Sequence, residues 1–426
     1  MKIRITILSI SVGIILFSCE KEQSLNKQPA PPVLMKPQTG AVTGIENVHF
    51  TWQKSVDPEG DEVKYTFYIS SDSSSWETQE LDENELELNS LNPGIKYYWK
   101  VSAKNYNINP EEAQEDKLSI SETSYFFTTP PGVSSLRDSA KNGQLMIYWD
   151  DPDDLDYVEI SFSPLINSIS QPLQIAAGVE MIELSGLQNE TIYTVLVTAH
   201  YINGLNSNPD TLMDMSLLPN QVHDVDFNIY TIITLGTQTW IRENLKVSRF
   251  QDGSPFQDGY YQPVSLSEFT GSESEKYGLY YRSVITSGGY DSDKNPCPCG
   301  YHVPADSEWK VLESYLGMTD ADLNSTDYML FRGENENVGK ILKSKTGWSD
   351  YEGESGNGSD LYGFTVLPAG YIYDDTEYKT DSTAIFWALS DNRFYNNLRL
   401  FSNSSAGIQR YQSGGMMKAS IRCIKD

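Results

Sequence analysis

The chain has 426 residues, of which 39% are hydrophobic and 12% aromatic, and its formal net charge is −28 at pH 7. This length predicts two to four domains rather than a single core, and the aromatic content excludes a disordered chain. The 31 basic and 59 acidic side chains include no basic segment. Nucleic acid is therefore excluded as a partner, because phosphate backbones bind to basic surfaces.

The N-terminus has the layout of a signal peptide. Lys2 and Arg4 begin it, and an apolar run to Phe17 precedes a small residue and Cys19. The run is too short to span a membrane, which takes about 20 apolar residues. A small residue directly before Cys19 resembles the lipobox of bacterial lipoproteins, which implies that residues 1–18 are removed and that the Cys19 sulfur carries a lipid. An ordinary secretory signal with an incidental cysteine is the alternative.

Lipidation would place the protein at the outer membrane. Two or three acyl chains, such as palmitate, anchor a protein durably, since each buried CH₂ contributes about 0.8 kcal/mol. Glu20 and Glu22 resemble the surface-export signals of Bacteroidetes lipoproteins, which favours the outer face and leaves the periplasmic face open. Residues 19–32 include three prolines and no apolar periodicity, so they are expected to form a flexible tether.

Two related modules follow the tether. Five landmark residues recur at an offset of 96 or 97 positions: Trp52 and Trp149, Leu91 and Leu187, Tyr97 and Tyr193, Val101 and Val197, and Ala103 and Ala199. The flanking segments alternate between apolar and polar residues, which predicts two antiparallel β sandwiches. The landmarks resemble those of fibronectin type III domains over residues 33–129 and 131–218. The resemblance implies core roles for them and a tyrosine hydroxyl that closes a backbone hydrogen bond at the sheet corner.

An acidic loop follows each tryptophan strand. The first loop contains Asp57 and Asp61, and the second runs from Asp150 to Asp156. Carboxylate oxygens are suitable ligands for calcium, but Asp, Pro and Gly are also the ordinary residues of turns. Neither loop has the residue order of an EF-hand. Both interpretations, a solvated turn and a weak calcium site, remain open.

The composition changes at Val222, where a third domain is expected to begin. Its predicted strands are short, as at Tyr230–Leu235 and Ser420–Ile424, and glycine-rich loops separate them. One helix is predicted from Glu308 to Leu316, ending before Gly317. Its apolar face is formed by Trp309, Leu312, Tyr315 and Leu316.

Seven ordered segments of this module resemble the Fibrobacter succinogenes major paralogous domain of secreted and surface proteins of Bacteroidetes and Fibrobacteres. They are residues 238–245 with 252–253, 277–280, 297–304 with 308–309, 339–343, 363–370, 386–387 and 420–424. The resemblance implies that residues 222–426 form an α+β, C-type-lectin-like domain with a loop-rich surface. The whole chain is thus expected to be multidomain, with two all-β sandwiches before this domain. Tyr301, Cys299 and Ala305 depart from the family pattern, and Asp306 is expected to cap the helix in place of the usual serine.

Three cysteines remain beyond Cys19, so an oxidising compartment gives one disulfide and one thiol. The family resemblance implies a disulfide between Cys297 and Cys423, which would stabilise the domain by about 4–5 kcal/mol. Cys299 would then be free. A Cys-x-Cys pair can bind copper or zinc, but the disulfide would consume one of its ligands.

The sequence contains no motif of a hydrolase, metalloprotease or nucleotide-binding site. Among four scattered histidines, His302 is the one candidate for chemistry, and a buried structural role is expected for it. The tripeptides with which C-type lectins bind calcium and sugar are also missing. We therefore expect no enzyme activity, no cofactor and no resident metal.

The expected function is that of a modular binding or adhesion protein at the cell surface. Its ligand would be a glycan or a protein held by the loops of the last domain. Tyrosines that could stack on sugar rings are Tyr260, Tyr261, Tyr280, Tyr281, Tyr290 and Tyr395. Two alternatives remain: a structural or assembly component of the envelope, and an enzyme whose site has no recognisable motif.

Overall fold

The computed structural model describes residues 26–106, 117–256, 276–282, 294–374, 376–378, 380–389, 396–413 and 417–426. The expected signal peptide and Cys19 lie outside these residues. Within the described ranges, no helix is both long enough and apolar enough to cross a membrane. The described chain is mostly β, with short helices confined to its C-terminal part.

The first module is a sandwich of two sheets. Its strands are β1 (Val33–Lys36), β2 (Ala41–Thr43), β3 (Val48–Gln53), β4 (Glu62–Ser70), β5 (Glu77–Leu81), β6 (Glu85–Leu88), β7 (Lys96–Tyr106), β8 (Leu118–Ile120) and β9 (Ser124–Thr128). One sheet has the order β1-β3-β6, and the other has the order β2-β9-β7-β4-β5 with β8 paired to β7. All pairs are antiparallel except β2 with β9.

The second module repeats this design with seven strands. They are β10 (Ser134–Lys141), β11 (Gln144–Asp150), β12 (Leu155–Ser163), β13 (Leu173–Ala176), β14 (Met181–Ser185), β15 (Ile192–Tyr201) and β16 (Asp210–Met215). The sheets have the orders β10-β11-β14 and β13-β12-β15-β16. Alternate residues of each strand face the space between the sheets, which explains the period of two in the sequence.

The landmark residues of the repeat lie in the two cores. Trp52 and Trp149 are fully buried, and Leu91 is the only one of the ten that is partly exposed. The hydroxyl of Tyr97 accepts a hydrogen bond from the backbone N–H of Asn92 at 3.2 Å, and that of Tyr193 accepts one from Gln188 at 3.0 Å. The predicted tyrosine corner is therefore present in both sandwiches.

The third module combines short strands with three helices among its described residues. Its elements are β17 (Gln221–His223), β18 (Ile229–Leu235), β19 (Gln238–Ile241), β20 (Tyr281–Arg282), β21 (Tyr301–His302), α1 (Asp306–Tyr315), α2 (Asp320–Leu323), β22 (Phe331–Arg332), α3 (Val338–Leu342), β23 (Tyr371–Tyr373), β24 (Thr376–Tyr378), β25 (Thr383–Ala388), β26 (Asn396–Ser402), β27 (Ile408–Ser413), β28 (Met417–Ala419) and β29 (Ile424–Lys425). Three sheets have the orders β17-β18-β19-β29-β21, β20-β28-β23-β24 and β22-β27-β26-β25.

Helix α1 begins earlier than predicted and has a different cap. Ala305 is its N-cap residue, and the side chain of Glu308 accepts a hydrogen bond from the Ala305 N–H at 2.8 Å. Asp306 was expected to be the cap, but its carboxylate binds Arg399 instead. Tyr315, assigned to the buried face, is 49% exposed.

The C-terminal strand is shorter than predicted. Ser420 forms an isolated bridge with Phe386, residues 421–423 belong to no strand, and only Ile424 and Lys425 form β29. The carbonyls of Ile421 and Cys423 instead accept single hydrogen bonds from Leu245 and Ile241, each at 3.0 Å. This segment is thus held by residues 241–245 through isolated bonds.

Candidate functional site

His302 links the last residue of the chain to helix α1. Its Nδ1 lies 2.7 Å from a carboxylate oxygen of Asp426, and its Nε2 lies 2.9 Å from Glu308. Glu308 also caps α1 through the backbone of Ala305. The imidazole is 34% exposed, so the expectation of a buried histidine was wrong. Because one ring nitrogen contacts the carboxylate of Asp426 and the other contacts that of Glu308, the imidazole holds residue 426 against helix α1.

The cysteines are arranged as the family resemblance implied. Cys297 and Cys423 form a disulfide with a Cα–Cα distance of 6.0 Å, and both residues are buried. Cys299 is an exposed free thiol. No group of three or more His, Cys, Asp or Glu side chains in the described part of the chain is arranged to hold a metal ion.

Arg422 joins three of the segments that carry the family resemblance. One guanidinium nitrogen donates to the carbonyl of Phe364 at 2.6 Å, and another donates to the side-chain oxygen of Asn244 at 2.7 Å. The charge lies 5.2 Å from the ring centroid of Phe386. Burial lowers the pKa of Arg422 to about 9. These segments therefore meet in the interior, where they stabilise the domain.

A buried network of charged side chains surrounds Glu313 of helix α1. Arg332 donates to both carboxylate oxygens of Glu313, at 3.0 and 3.1 Å, and Arg399 donates to one of them at 2.5 Å. Arg399 also binds Asp306 at 2.8 Å. Burial would raise the pKa of Asp306, but the charges and hydrogen bonds of Arg399 hold it below its ordinary value. Sequence analysis missed this network because its members lie far apart in the chain.

The tyrosines predicted to stack on sugar rings are not an exposed group. Tyr280 and Tyr281 are 1% and 0% exposed, so this part of the prediction was wrong. Their hydroxyls donate to the backbone carbonyls of Ala369 and Val247. Four further candidates, Tyr260, Tyr261, Tyr290 and Tyr395, lie outside the described residues.

The hairpin of β23 and β24, which we call the tyrosine hairpin, carries three other tyrosines, of which two are exposed and Tyr371 is partly buried. Tyr371 and Tyr378 are directly opposite each other, and their rings stack with centroids 5.4 Å apart. Tyr373 and Tyr378 are 44% and 39% exposed. Ile372, which lies between Tyr371 and Tyr373 in β23, is buried. Burial raises the pKa of Tyr371 above its ordinary value, with the charges of Tyr411 and Tyr378 adding to the effect. A flat, partly hydrated aromatic surface of this kind suits a ligand with both apolar and polar faces.

The first acidic loop is closed by its own hydrogen bonds. Asp57 accepts bonds from the backbone N–H groups of Glu59 and Asp61 at 2.9 and 3.2 Å, and from the side chain of Asn105 at 3.2 Å. Both of its carboxylate oxygens thus serve the turn and the neighbouring strand. This geometry favours the solvated turn of the two interpretations.

A cavity of about 840 Å³ lies between the second sandwich and the C-terminal module. Its wall includes Asp138, Asp214, His223 and Cys299. His223 is bound on both sides, by a carboxylate oxygen of Asp214 at 2.6 Å and by the backbone carbonyl of Asp224 at 2.8 Å. Burial would lower the pKa of His223, but its hydrogen bond to Asp214 raises it.

Sequence analysis attached no function to His223. The only local signal was the position of an imidazole next to an aspartate at a module boundary. Asp214 belongs to β16 and His223 to β17, so their contact depends on how two modules meet. A pattern within either module does not contain that information.

The last module is similar to a known family of domains. Residues 233–425 match the model of the Fibrobacter succinogenes major domain family. A search of curated proteins gave no match to the chain.

Solved structures similar to the chain contain fibronectin type III domains. A two-domain segment of chicken tenascin is 15% identical, with 45% of this chain and 100% of that chain covered and a TM-score of 0.29. The FN1–FN3 domains of chicken CNTN1 are also 15% identical, with 45% and 66% covered and a TM-score of 0.22. The corresponding domain of the human collagen alpha-1(XX) chain is 22% identical, with 21% and 89% covered and a TM-score of 0.19.

Proposed function

We propose that this chain is a surface-anchored binding protein. Its C-terminal module, which matches the Fibrobacter succinogenes major domain family, holds a glycan or protein ligand. The observation that supports this role is the tyrosine hairpin, where stacked and exposed rings lie together on one face. Exposed aromatic rings on a rigid hairpin lose little side-chain entropy when a ligand covers them. A binding role rather than catalysis is part of the proposal.

The anchor in this proposal is a lipid on Cys19, followed by a tether and two sandwich spacers at the outer membrane. Its test is metabolic labelling of cells with a radioactive or clickable palmitate. The wild-type protein should be labelled and should sediment with membranes, whereas Cys19→Ala should lose the label. A wild-type chain without label would disprove lipid anchoring and leave an ordinary secretory signal.

The ligand site is tested with a glycan array and with crosslinking on intact cells. Tyr373→Ala combined with Tyr378→Ala should remove binding, because it truncates both exposed rings of the hairpin. Tyr351→Ala is the matched control, since Tyr351 is 46% exposed elsewhere in the same module. Binding that survives the hairpin substitutions would place the ligand on another surface.

We also propose that residues 222–426 have a C-type-lectin-like α+β fold. Short sheets, helices of ten residues or fewer in the described part, and a disulfide to the last segment support this assignment. If neither glycan nor soluble protein binds but envelope proteins copurify with the chain, a structural or assembly role replaces the binding role.

A further inference from the structure

One face of the first sandwich carries aromatic rings with lysines between them. Strand alternation turns Tyr68 of β4 and Tyr98 of β7 outward, while Tyr65 and Trp99 face the core. We call the outward set the aromatic–lysine face. Its members are Tyr68, Lys96, Tyr98, Lys100, Tyr125 and Phe127. They occupy three neighbouring strands of the larger sheet, β4, β7 and β9.

The two lysines of this face lie over the rings. The Nζ of Lys96 is 4.1 Å from the ring centroid of Tyr125 and 4.9 Å from that of Tyr98. The Nζ of Lys100 is 4.1 Å from the ring centroid of Trp76 and 5.3 Å from that of Tyr68. Each ammonium group is therefore held in place by aromatic rings, which attract cations to their faces.

Neither ammonium group is neutralised by a carboxylate within the part of the chain that the structure describes. Lys64, on the same sheet, differs because its Nζ lies 3.2 Å from a carboxylate oxygen of Asp82. In a chain of net charge −28, two such lysines between partly exposed rings form a local site for anions. Positive charge and aromatic ring thus alternate along β7, in the order Lys96, Tyr98 and Lys100.

We propose that the aromatic–lysine face binds an acidic polysaccharide, a polymer of sugar rings that carry carboxylates. Sugar rings present flat C–H faces that pack on Tyr98 and Tyr125, and their carboxylates pair with Lys96 and Lys100. Tyr125 of β9 lies directly opposite Tyr98 of β7 with ring centroids 6.4 Å apart, and Tyr68 follows on β4, so rings succeed one another across the sheet as the units of a polymer do. An acidic polypeptide has carboxylates but no comparable row of flat saturated rings. The site is separate from the tyrosine hairpin.

The test uses the intact protein in detergent and polygalacturonate as the probe, with binding measured by titration calorimetry. Lys96→Gln with Lys100→Gln should weaken binding at least tenfold, because it removes both charges and leaves a polar side chain that is only one atom shorter. Lys64→Gln, the matched control, should stay within twofold of the wild type. Circular dichroism establishes that each variant is folded. Substitutions in the tyrosine hairpin should leave polygalacturonate binding unchanged, which separates this proposal from the proposed function.

The probe itself provides the second arm of the test. Methyl-esterified polygalacturonate keeps the rings without the charges and should bind at least tenfold more weakly. Three outcomes would overturn the proposal: no binding by the wild-type protein, unchanged binding by the double lysine variant, or equal affinity for polyglutamate. The last outcome would assign the face to acidic polypeptides.

Discussion

The Nε2 of His223 lies 2.6 Å from a carboxylate oxygen of Asp214, and this contact joins the second sandwich to the first strand of the C-terminal module. Burial raises the pKa of Asp138 to about 8, and the neighbouring carboxylate of Asp214 adds to the shift. Burial would raise the pKa of Asp214 as well, but the hydrogen bonds from His223 and Asp138 lower it. Below about pH 8 the junction therefore contains a protonated Asp138 beside the ionised Asp214, and the raised pKa of His223 favours the charged form of its imidazole.

The junction should weaken as the pH rises from about 4 to about 8. In the unfolded chain Asp138 loses its proton near its ordinary pKa of 3.8, whereas in the folded chain it keeps the proton until about 8. The folded state binds the extra proton in this window, so its stability falls with rising pH. The raised pKa of His223 acts in the same direction, since its pairing with Asp214 is lost as the pH rises through that value.

Scanning calorimetry of the intact chain between pH 5 and pH 9 checks this prediction. The transition of the second sandwich should move to lower temperature with rising pH, and Asp138→Asn should reduce that slope. Asp156→Asn, at an exposed position of the same module, should keep the wild-type slope. Equal slopes for the wild type and Asp138→Asn would contradict the assignment of the proton to Asp138.

Replacing Glu313 with Gln should destabilise the C-terminal module by about 3–5 kcal/mol, because the substitution leaves buried Arg332 and Arg399 without their shared carboxylate. Chemical denaturation monitored by tryptophan fluorescence measures the loss. Glu354→Gln changes an exposed glutamate of the same module and should stay within about 0.5 kcal/mol. A loss for Glu313→Gln as small as that of the control would mean that solvent reaches the network.

Periodicity predicted the parts of the fold whose cause is local. The alternation around Trp52 and Trp149 follows from a strand with one buried face, and the repeat offset showed the same design twice. The burial of Tyr280 could not be predicted this way. Its hydroxyl bonds to the carbonyl of Ala369, 89 positions later, and a local pattern does not record which distant strand will cover a ring.

Sequence analysis predicted which module contains the candidate site but not the residues that form it. The family resemblance led to the correct region and to the disulfide pair, since Cys297 and Cys423 stand at family positions. The tyrosine hairpin was missed because Tyr371 and Tyr378 lie in a two-strand turn with no motif. The aromatic–lysine face was missed because its rings come from strands more than 20 positions apart, which only the sheet brings together.

Gly339 should not tolerate a side chain. A Cβ atom there would overlap the carbonyl oxygen of Gly407, which belongs to the backbone and cannot move aside as a flexible side chain could. Gly339→Ala should therefore cost about 1–3 kcal/mol through overpacking. Thermal unfolding of the module measures the effect, and Lys340→Ala, at the exposed next position of helix α3, is the control. A Gly339→Ala variant as stable as the control would show that the two segments can separate.

The disulfide should supply a large share of the stability of the C-terminal module. It connects positions 126 residues apart, and closing a loop of this size is worth about 4–5 kcal/mol in the chain-entropy model. Cys423→Ser should lower the free energy of unfolding by about that amount, whereas Cys299→Ser should leave it within about 0.5 kcal/mol because Cys299 is exposed and free. Chemical denaturation of residues 26–426, which lack Cys19, measures both variants.

Thiol labelling of the same chain without reduction gives an independent measurement of the pairing. Under denaturing conditions the wild type should take up one maleimide, at Cys299, and Cys423→Ser should take up two, because Cys297 loses its partner. Mass spectrometry of the labelled peptides assigns each site. A wild-type label at Cys297 with Cys299 protected would mean that Cys423 pairs with Cys299. The loss of stability in Cys423→Ser would then belong to a disulfide that starts two residues later in the chain.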